Sequence, residues 1–153
     1  MQLSKEYFEA NNPLTEEGRF SDLAKQVCAS IRAAAASNGS CPVRLLLLLA
    51  QDHCPEVRMA VADNEKAPEI ALQLLVGDPH PDVRFRLAEN HQLPLPVLTQ
   101  LMNDENPYVA DRAYRTVQRI TPANLIQVGE AFWRSGCTIV EHEPTGKAEA
   151  IAE

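Results

Sequence analysis

Three arginines stand at equivalent places in a recurring pattern, and a row of this kind would suit an anion. Arg32, Arg58 and Arg84 follow one another at one constant interval. A planar guanidinium donates several hydrogen bonds at once, so the row could hold a phosphate or an acidic peptide. The alternative is internal pairing with repeat aspartates and helix-end carbonyls, which we expect because buried polar groups are rarely left unsatisfied. The aspartates that share the interval are Asp52, Asp78 and Asp104.

A second basic group is not demanded by the recurring pattern. Arg86 and Arg112 stand at equivalent places in consecutive copies, whereas alanine fills the two earlier equivalent positions. Arg115 and Arg119 lie on the same helical face as Arg112. We predict that these four arginines form a binding site for an acidic protein segment or for nucleic acid. The alternative is an ordinary solvated surface, the usual role of charge runs. The carboxylates that would neutralise such a surface are Asp82, Glu89 and Asp111.

Sulfur and imidazole side chains also recur, which raises metal or redox chemistry. Cys28, Cys54 and His80 are separated by the same interval as the arginines. Adjacent helices pack about 8–10 Å apart, whereas zinc–ligand bonds measure about 2.0–2.3 Å, so three members of a straight row cannot converge on one ion. We expect capping positions, no metal site and no cofactor; a metal or iron–sulfur protein is the alternative. The cysteines, expected as free thiols or metal ligands, are Cys28, Cys41, Cys54 and Cys137.

Composition and motifs limit the other function classes. The chain has 14 Lys and Arg against 21 Asp and Glu, for a net charge of -7, which argues against nucleic-acid binding by bulk charge. No Gly-rich phosphate loop, nucleophile elbow or His-Glu-x-x-His pattern occurs, so we predict that the protein is not an enzyme. The amino end lacks a signal-peptide pattern and the longest apolar run is too short to cross a bilayer, so we expect no membrane association and a cytoplasmic location.

The elements that position these residues come from a sequence repeat. One copy carries Asp52, Pro55, Val57-Arg58, Asn64 and Pro68, and the next carries the same types at the equivalent places. Self-similarity with a period of about 26 residues predicts a solenoid, in which small units bury their apolar faces against each other. We predict an all-α fold with copies at 26–51, 52–77, 78–103 and 104–129 of a repeat domain spanning 26–135. Residues 1–25, without the repeat, would form an amino-terminal helical cap, and 136–153 a mobile acidic tail.

Each central copy is predicted to form two short helices. The first begins at Pro55 or Pro81 and the second near Pro68 or Pro94, since proline is tolerated where a helix starts. The fourth copy departs from the pattern, with Thr116 in place of asparagine, and its first helix is predicted to run from Pro107 to about Ile120. A second helix from Pro122 through Trp133 would close the carboxyl end. At the amino end, one helix is predicted to run from Thr15 toward Ala36, with Asn38 and Gly39 stopping it through positive φ.

Matching positions in the copies predict the core. Ile31, Val57, Val83 and Val109 form one inward row, and small residues and leucines form others. The remaining rows are Ala35, Val61, Leu87 and Ala113; Ala36, Ala62 and Ala88; Leu46, Leu72 and Leu98; and Leu49, Leu75 and Leu101. Asparagines at the helix ends, expected to close turns, make a further row: Asn38, Asn64 and Asn90.

The pattern Asp-x-x-Pro-x-Val-Arg, followed by Ala-x-Asn, Pro and Leu-x-x-Leu, resembles the leucine-rich repeat variant family, which is similar to HEAT-like repeats. The closest matches are 52–77 and 78–103, and the resemblance covers about two thirds of the chain. It implies a right-handed superhelix of alternating α-helices and shorter, often 3₁₀, helices. One branch of that family resembles an iron–sulfur protein with closely spaced cysteines, but this chain has no C-x-x-C.

The function predicted from these observations is a non-enzymatic interaction or scaffold module for a protein or peptide, an acidic one if the second arginine group is used. Solenoids provide extended faces to which non-core side chains add specificity. Second-helix positions such as Glu69, Gln73, Leu95 and Thr99 differ between copies, as a binding face would. The alternatives are a metal or iron–sulfur protein and nucleic-acid binding through the local arginines.

Overall fold

The computed structural model describes residues 4–121, and these residues contain α-helices and no strand. They lie within one compact unit of the chain, Met1–Thr121. The predicted all-α class is confirmed for this part. The helices in chain order are α1 (Lys5–Asn11), α2 (Glu17–Leu23), α3 (Ala29–Ser37), α4 (Val43–Leu49), α5 (Pro55–Ala62), α6 (Glu69–Val76), α7 (Pro81–Glu89), α8 (Leu95–Leu101) and α9 (Pro107–Ile120). The helix predicted from Pro122 through Trp133 and the predicted tail lie outside the described residues.

The helices form two layers. In the first layer, α1 packs on α3, α3 on α5, α5 on α7, and α7 on α9. The second layer contains the intervening helices, with α4 packed on α6 and α6 on α8. Each second-layer helix also packs against the first-layer helices that precede and follow it in the chain. Neighbours in sequence are therefore neighbours in space.

Proline residues set the starts of the first-layer helices from α5 onward. Pro55, Pro81 and Pro107 are the first residues of α5, α7 and α9, where a missing N–H costs nothing. In the second layer, Pro68 and its equivalents instead occupy the residue before the helix. Every described helix except α9 has only 7 to 9 residues. Helices so short are marginal alone, so contacts between neighbours must hold them.

All of the predicted core rows are buried. Ile31, Val57, Val83 and Val109 face inward from four successive first-layer helices. The alanine and leucine rows are buried with them, including Leu46, Leu72 and Leu98 from the second layer. The second-layer helices α4, α6 and α8 are α-helical rather than 3₁₀. The predicted length of the first helix of the fourth copy is also confirmed, since α9 runs from Pro107 to Ile120.

The prediction of one continuous amino-terminal helix was wrong. α2 ends at Leu23 and α3 begins only at Ala29. The break has a polar cause, because the Arg32 guanidinium Nη1 donates hydrogen bonds to the carbonyls of Gln26 and Val27 at 2.8 and 2.9 Å. Those carbonyls are directed at a side chain and not at a following helical turn.

The first two helices, α1 and α2, bury the same positions as the later helices, although the sequence predicts that the repeat begins only near residue 26. Ala10 in α1 is buried, as are Phe20 and Leu23 in α2. These positions precede Ala36, Leu46 and Leu49 by one full repeat each. The α1–α2 pair therefore buries the same register of side chains as the α3–α4 pair.

Candidate functional site

The arginine row is joined to the aspartate row by paired hydrogen bonds. Arg58 Nε lies 2.6 Å from Asp78 Oδ2, and Arg58 Nη2 lies 2.8 Å from Asp78 Oδ1. Arg84 meets Asp104 in the same way at 2.7 and 3.0 Å. The Arg32–Asp52 pair has distances of 2.7 and 2.8 Å. Such fork-to-fork geometry combines hydrogen bonds with opposite charge, and all three pairs are largely buried.

The third donor group of each guanidinium is also occupied. Arg58 Nη1 donates to the carbonyl of Asp52 at 2.7 Å, and Arg84 Nη1 donates to that of Asp78 at 2.6 Å. Each arginine therefore joins the end of one helix pair to the aspartate of the next. Because these donors are directed at protein acceptors, little capacity remains for a phosphate or an acidic peptide.

The pairing shifts the titration of both partners. The hydrogen bonds that the Arg84 guanidinium donates to Asp104 raise the pKa of the arginine. Burial alone raises the pKa of Asp104, but the hydrogen bonds from Arg84 and from the Asn106 N–H, together with the arginine charge, lower it further than burial raises it. Burial likewise raises the pKa of Asp52, and Arg32 and the Cys54 N–H outweigh it, so that pKa is also lowered.

The asparagine row makes a second set of contacts between helix pairs. Asn64 Nδ2 donates to the carbonyls of Ala36 and Asn38 at 2.6 and 3.1 Å. Its Oδ1 accepts the N–H of Lys66 at 2.8 Å. Asn38 and Asn90 make the same kinds of contact one helix pair away. The predicted helix stop at Asn38 is confirmed, since α3 ends at Ser37, but it does not involve positive φ, which no residue of the described part has. The asparagines close the helix ends through their side chains instead.

Sequence reasoning missed the continuation of this row. Thr116 is buried, and its Oγ1 donates to the carbonyl of Ala88 at 2.6 Å. That carbonyl lies 28 residues earlier, as Ala36 does from Asn64. Thr116 differs from the asparagines in residue type and lies within α9 rather than at a helix end, yet its hydroxyl supplies the donor to the equivalent carbonyl. A search for any hydrogen-bond donor at the same register, rather than for asparagine itself, would have identified Thr116.

The four arginines of the predicted anion site are not gathered into one free cationic surface. Arg86 Nε lies 3.4 Å from Asp63 Oδ2, and Arg86 Nη1 lies 3.5 Å from Glu89 Oε2. Arg112 Nη2 contacts the other oxygen of Glu89 at 3.2 Å. Glu89 therefore bridges two of the four. Asp63 has its pKa raised by burial, although Arg86 opposes that effect.

The other two arginines lie farther along α9. Arg115 Nε is 3.0 Å from Asp111 Oδ2, one helical turn away. Arg119 is exposed near the end of the helix. Of the three carboxylates expected to neutralise this surface, Glu89 and Asp111 pair with these arginines. The third, Asp82, instead lies 3.8 Å from His80.

The cysteine and histidine row occupies helix starts. Cys28, Cys54 and His80 are the residues before α3, α5 and α7. His80 Nδ1 accepts the N–H of Asp82 at 3.3 Å, and Cys54 Sγ lies 2.6 Å from a carboxylate oxygen of Glu56. In the described part of the chain, no three His, Cys, Asp or Glu side chains are grouped as metal ligands. Cys137 lies outside the described residues.

An apolar surface that the sequence did not single out covers the second layer. We call it the second-layer face and define it by side chains of α4, α6 and α8 that point away from the core. Leu48, Ile70 and Leu74 are 63%, 68% and 50% exposed. Val43 and Leu95 extend the face at 46% and 45%. The run Leu45–Leu49 is leucine throughout, and the repeat register identified Leu46 and Leu49 as inward without identifying Leu48 as outward.

A cleft of about 200 Å³ adjoins this face between the starts of α6 and α8. Two carboxylates, Glu65 and Glu69, line it together with apolar and amide groups. Glu69 and Ile70 are the first two residues of α6, so the cleft lies near the amino-terminal end of the face. Among residues 4–121, no lysine or arginine forms an ion pair with either of these carboxylates.

Comparison of the chain with protein-family models, curated proteins and solved structures gave no match. Among the helices of residues 4–121, none combines the length and apolar character that crossing a bilayer requires.

Proposed function

We propose that this chain is a short right-handed α-solenoid of the leucine-rich repeat variant type, and that it is a non-enzymatic module for binding a protein or peptide. The recurrence of contacts in one register supports the repeat assignment. Arg58 reaches Asp78 and Arg84 reaches Asp104 across the same interval of 20 residues. Contacts between adjacent units alone are characteristic of repeat proteins.

The second-layer face is the observation that carries the binding function. Leu48 and Leu74 share a register, and the equivalent residues of the flanking helices are Asp22 and Gln100. A polar residue therefore serves the stack equally well at this position. Together with Ile70, the two leucines leave apolar surface in contact with water. Exposed apolar side chains grouped on neighbouring packed helices are typical of sites of protein interaction.

The energetic gain from covering the face is large enough to matter. Complete burial of a Leu or Ile side chain is worth about 1.5–3 kcal/mol. The three most exposed side chains of the face are at least half accessible, so a partner that covers them recovers a substantial part of that value from each. A partner would gain little free energy from the arginine and asparagine rows, because their hydrogen bonds are already made within the chain.

Affinity capture with matched variants tests the proposal. Tagged wild-type protein and Ile70→Ser/Leu74→Ser would be used to purify partners from the native host, with quantitative mass spectrometry. The control is Leu14→Ser/Val27→Ser, which removes side chains that are 86% and 97% exposed but lie off the face. We expect the face variant to lose its specific partner and the control to retain it. Equal recovery of the same proteins by both variants would refute a binding role for this face.

A further inference from the structure

We infer that the second-layer face binds an amphipathic helix that carries lysine or arginine beside its apolar residues. The inference rests on the proposed function and adds the chemistry of the partner. Three features support it: the spacing of the apolar side chains, the adjoining carboxylate cleft, and the cost of covering an unpaired carboxylate.

The spacing favours a helix over an extended strand. Leu48 and Leu74 occupy equivalent positions on packed neighbours, α4 and α6, and packed helices lie about 8–10 Å apart. Residues seven apart on one side of a helix are separated by about 10.5 Å. Same-side residues of a strand recur at about 6.6 Å, which fits this interval poorly. A helix lying across α4, α6 and α8 would therefore place one apolar side chain near each of them.

The charges next to the face favour a basic helix. Glu69 stands at the start of α6 beside Ile70, and Glu65 lines the same cleft. A partner that covers Ile70 also removes water from Glu69, and an ionised carboxylate that loses water without gaining a cation is costly. Arg44, a basic residue of α4 at the register of Ile70, lies 3.6 Å from the exposed carboxylate of Glu17, which offsets part of its positive charge. A lysine or arginine of the partner would supply the missing charge.

Two defined peptides test this chemistry directly. Both are helical, of about 18 residues so that they span three helices, with leucine on one face at intervals of three and four. One carries lysine at the flanking positions and the other carries glutamate. Fluorescence anisotropy would measure the binding of each peptide to the full chain. We expect the lysine peptide to bind at least tenfold more tightly, and Ile70→Ser/Leu74→Ser to abolish that binding.

A matched pair of charge variants separates the cleft from the general negative charge of the chain. Glu65→Gln/Glu69→Gln and Glu6→Gln/Glu16→Gln change the net charge by the same amount, the second pair at α1 and α2. We expect the cleft variant to weaken binding of the lysine peptide by about tenfold, equivalent to about 1.4 kcal/mol, and the control by less than twofold. Equal effects of the two variants, or equal binding of the two peptides, would overturn the inference.

Sedimentation velocity of the free protein tests the alternative occupant of the face, a second copy of the same chain. A monomer supports the inference. A dimer that Ile70→Ser/Leu74→Ser converts to a monomer would overturn it, because a second copy would then be the occupant. Failure here is distinct from failure of the proposed function. A native partner whose capture requires Ile70 and Leu74, but whose binding segment is neither basic nor helical, would leave the interaction role standing.

Discussion

Replacement of a single arginine in the buried row should cost a large part of the stability of the protein. Arg84 and Arg86 lie two residues apart on α7, which makes them a matched pair. The side chain of Arg84 is 8% exposed and that of its partner Asp104 is 6% exposed. The side chain of Arg86 is 46% exposed, and its carboxylate contacts are longer, at 3.4 and 3.5 Å. The same substitution at the two positions therefore compares a buried pair with a solvated one.

The expected magnitude follows from the groups left behind. Arg84→Leu removes two hydrogen bonds to Asp104, one to the carbonyl of Asp78 and one to the exposed carboxylate of Glu105. Asp104 would then keep only the N–H of Asn106 as a donor. Breaking a buried ion pair on one side costs about 3–5 kcal/mol. Arg86→Leu should cost no more than about 1 kcal/mol, the range of exposed pairs.

Urea unfolding followed by circular dichroism measures both free energies of unfolding. We expect Arg84→Leu to lower the midpoint strongly and Arg86→Leu to change it little. In the double variant Arg84→Leu/Asp104→Asn, the buried carboxylate is replaced by a neutral amide that still accepts the Asn106 N–H. The double variant should therefore lose less than the sum of the two single changes, with a coupling of about 1–3 kcal/mol. Equal losses from Arg84→Leu and Arg86→Leu would refute the reasoning.

The pH dependence of the difference in unfolding free energy between wild type and Arg84→Leu gives an independent check. The pKa of Asp104 is lowered in the folded state. Its contribution is therefore present above the unfolded pKa of about 3.9 and is lost as the pH falls through the folded value. At acid pH the carboxyl is neutral in both proteins. The gap in unfolding free energy between wild type and Arg84→Leu should then narrow, whereas a gap that stays constant would contradict an ionic origin.

Three further predictions concern other parts of the chain. Leu72→Ala should cost about 2–5 kcal/mol of unfolding free energy because Leu72 is buried, whereas Leu74→Ala should cost little; thermal unfolding of the two variants compares them. Thr116→Val should cost about 1–3 kcal/mol by leaving the buried carbonyl of Ala88 without its donor, and Thr116→Asn should retain more stability; urea titration measures both, and equal losses would argue against the hydrogen bond. Burial raises the pKa of Cys41 to about 11, while backbone N–H groups of Ile31 and Ser30 lower the pKa of the exposed Cys28. In a Cys54→Ser/Cys137→Ser background at neutral pH, maleimide should therefore label Cys28 far faster than Cys41.

The core and the helix pairs could be predicted from sequence because the period samples each position several times. Val57, Val83 and Val109 occur at one register, so chance apolar residues are averaged out. The length of α9 was instead predicted from a departure from the period, because the next proline appears only at Pro122. Element limits in such a chain follow from proline placement, which acts locally through the missing N–H.

The missed features are those in which the chemistry is kept while the residue type changes. Thr116 replaces asparagine yet donates to the equivalent carbonyl. At the amino end, Phe20 stands where later copies have leucine, and no proline precedes it at the usual place. A search for identical residues therefore stops near residue 26. The outward direction of Leu48 was missed for a different reason: the leucine run has no helical periodicity of its own, and the register rows identified only the inward Leu46 and Leu49.

These contacts distinguish repeated positions, which stabilise the fold, from unrepeated positions, which are available to bind a partner. Arg58, Asn64 and their equivalents are occupied within the chain, so changes there alter stability first. At the register of Leu48, the second-layer helices α2, α4, α6 and α8 carry Asp22, Leu48, Leu74 and Gln100, so packing does not dictate the residue type there. A partner can gain binding free energy at positions where packing does not dictate the residue type and where the chain exposes apolar side chains to water. The paired leucines at the centre of the second-layer face meet both conditions, which is why binding, rather than folding, is the property expected to change when they are replaced.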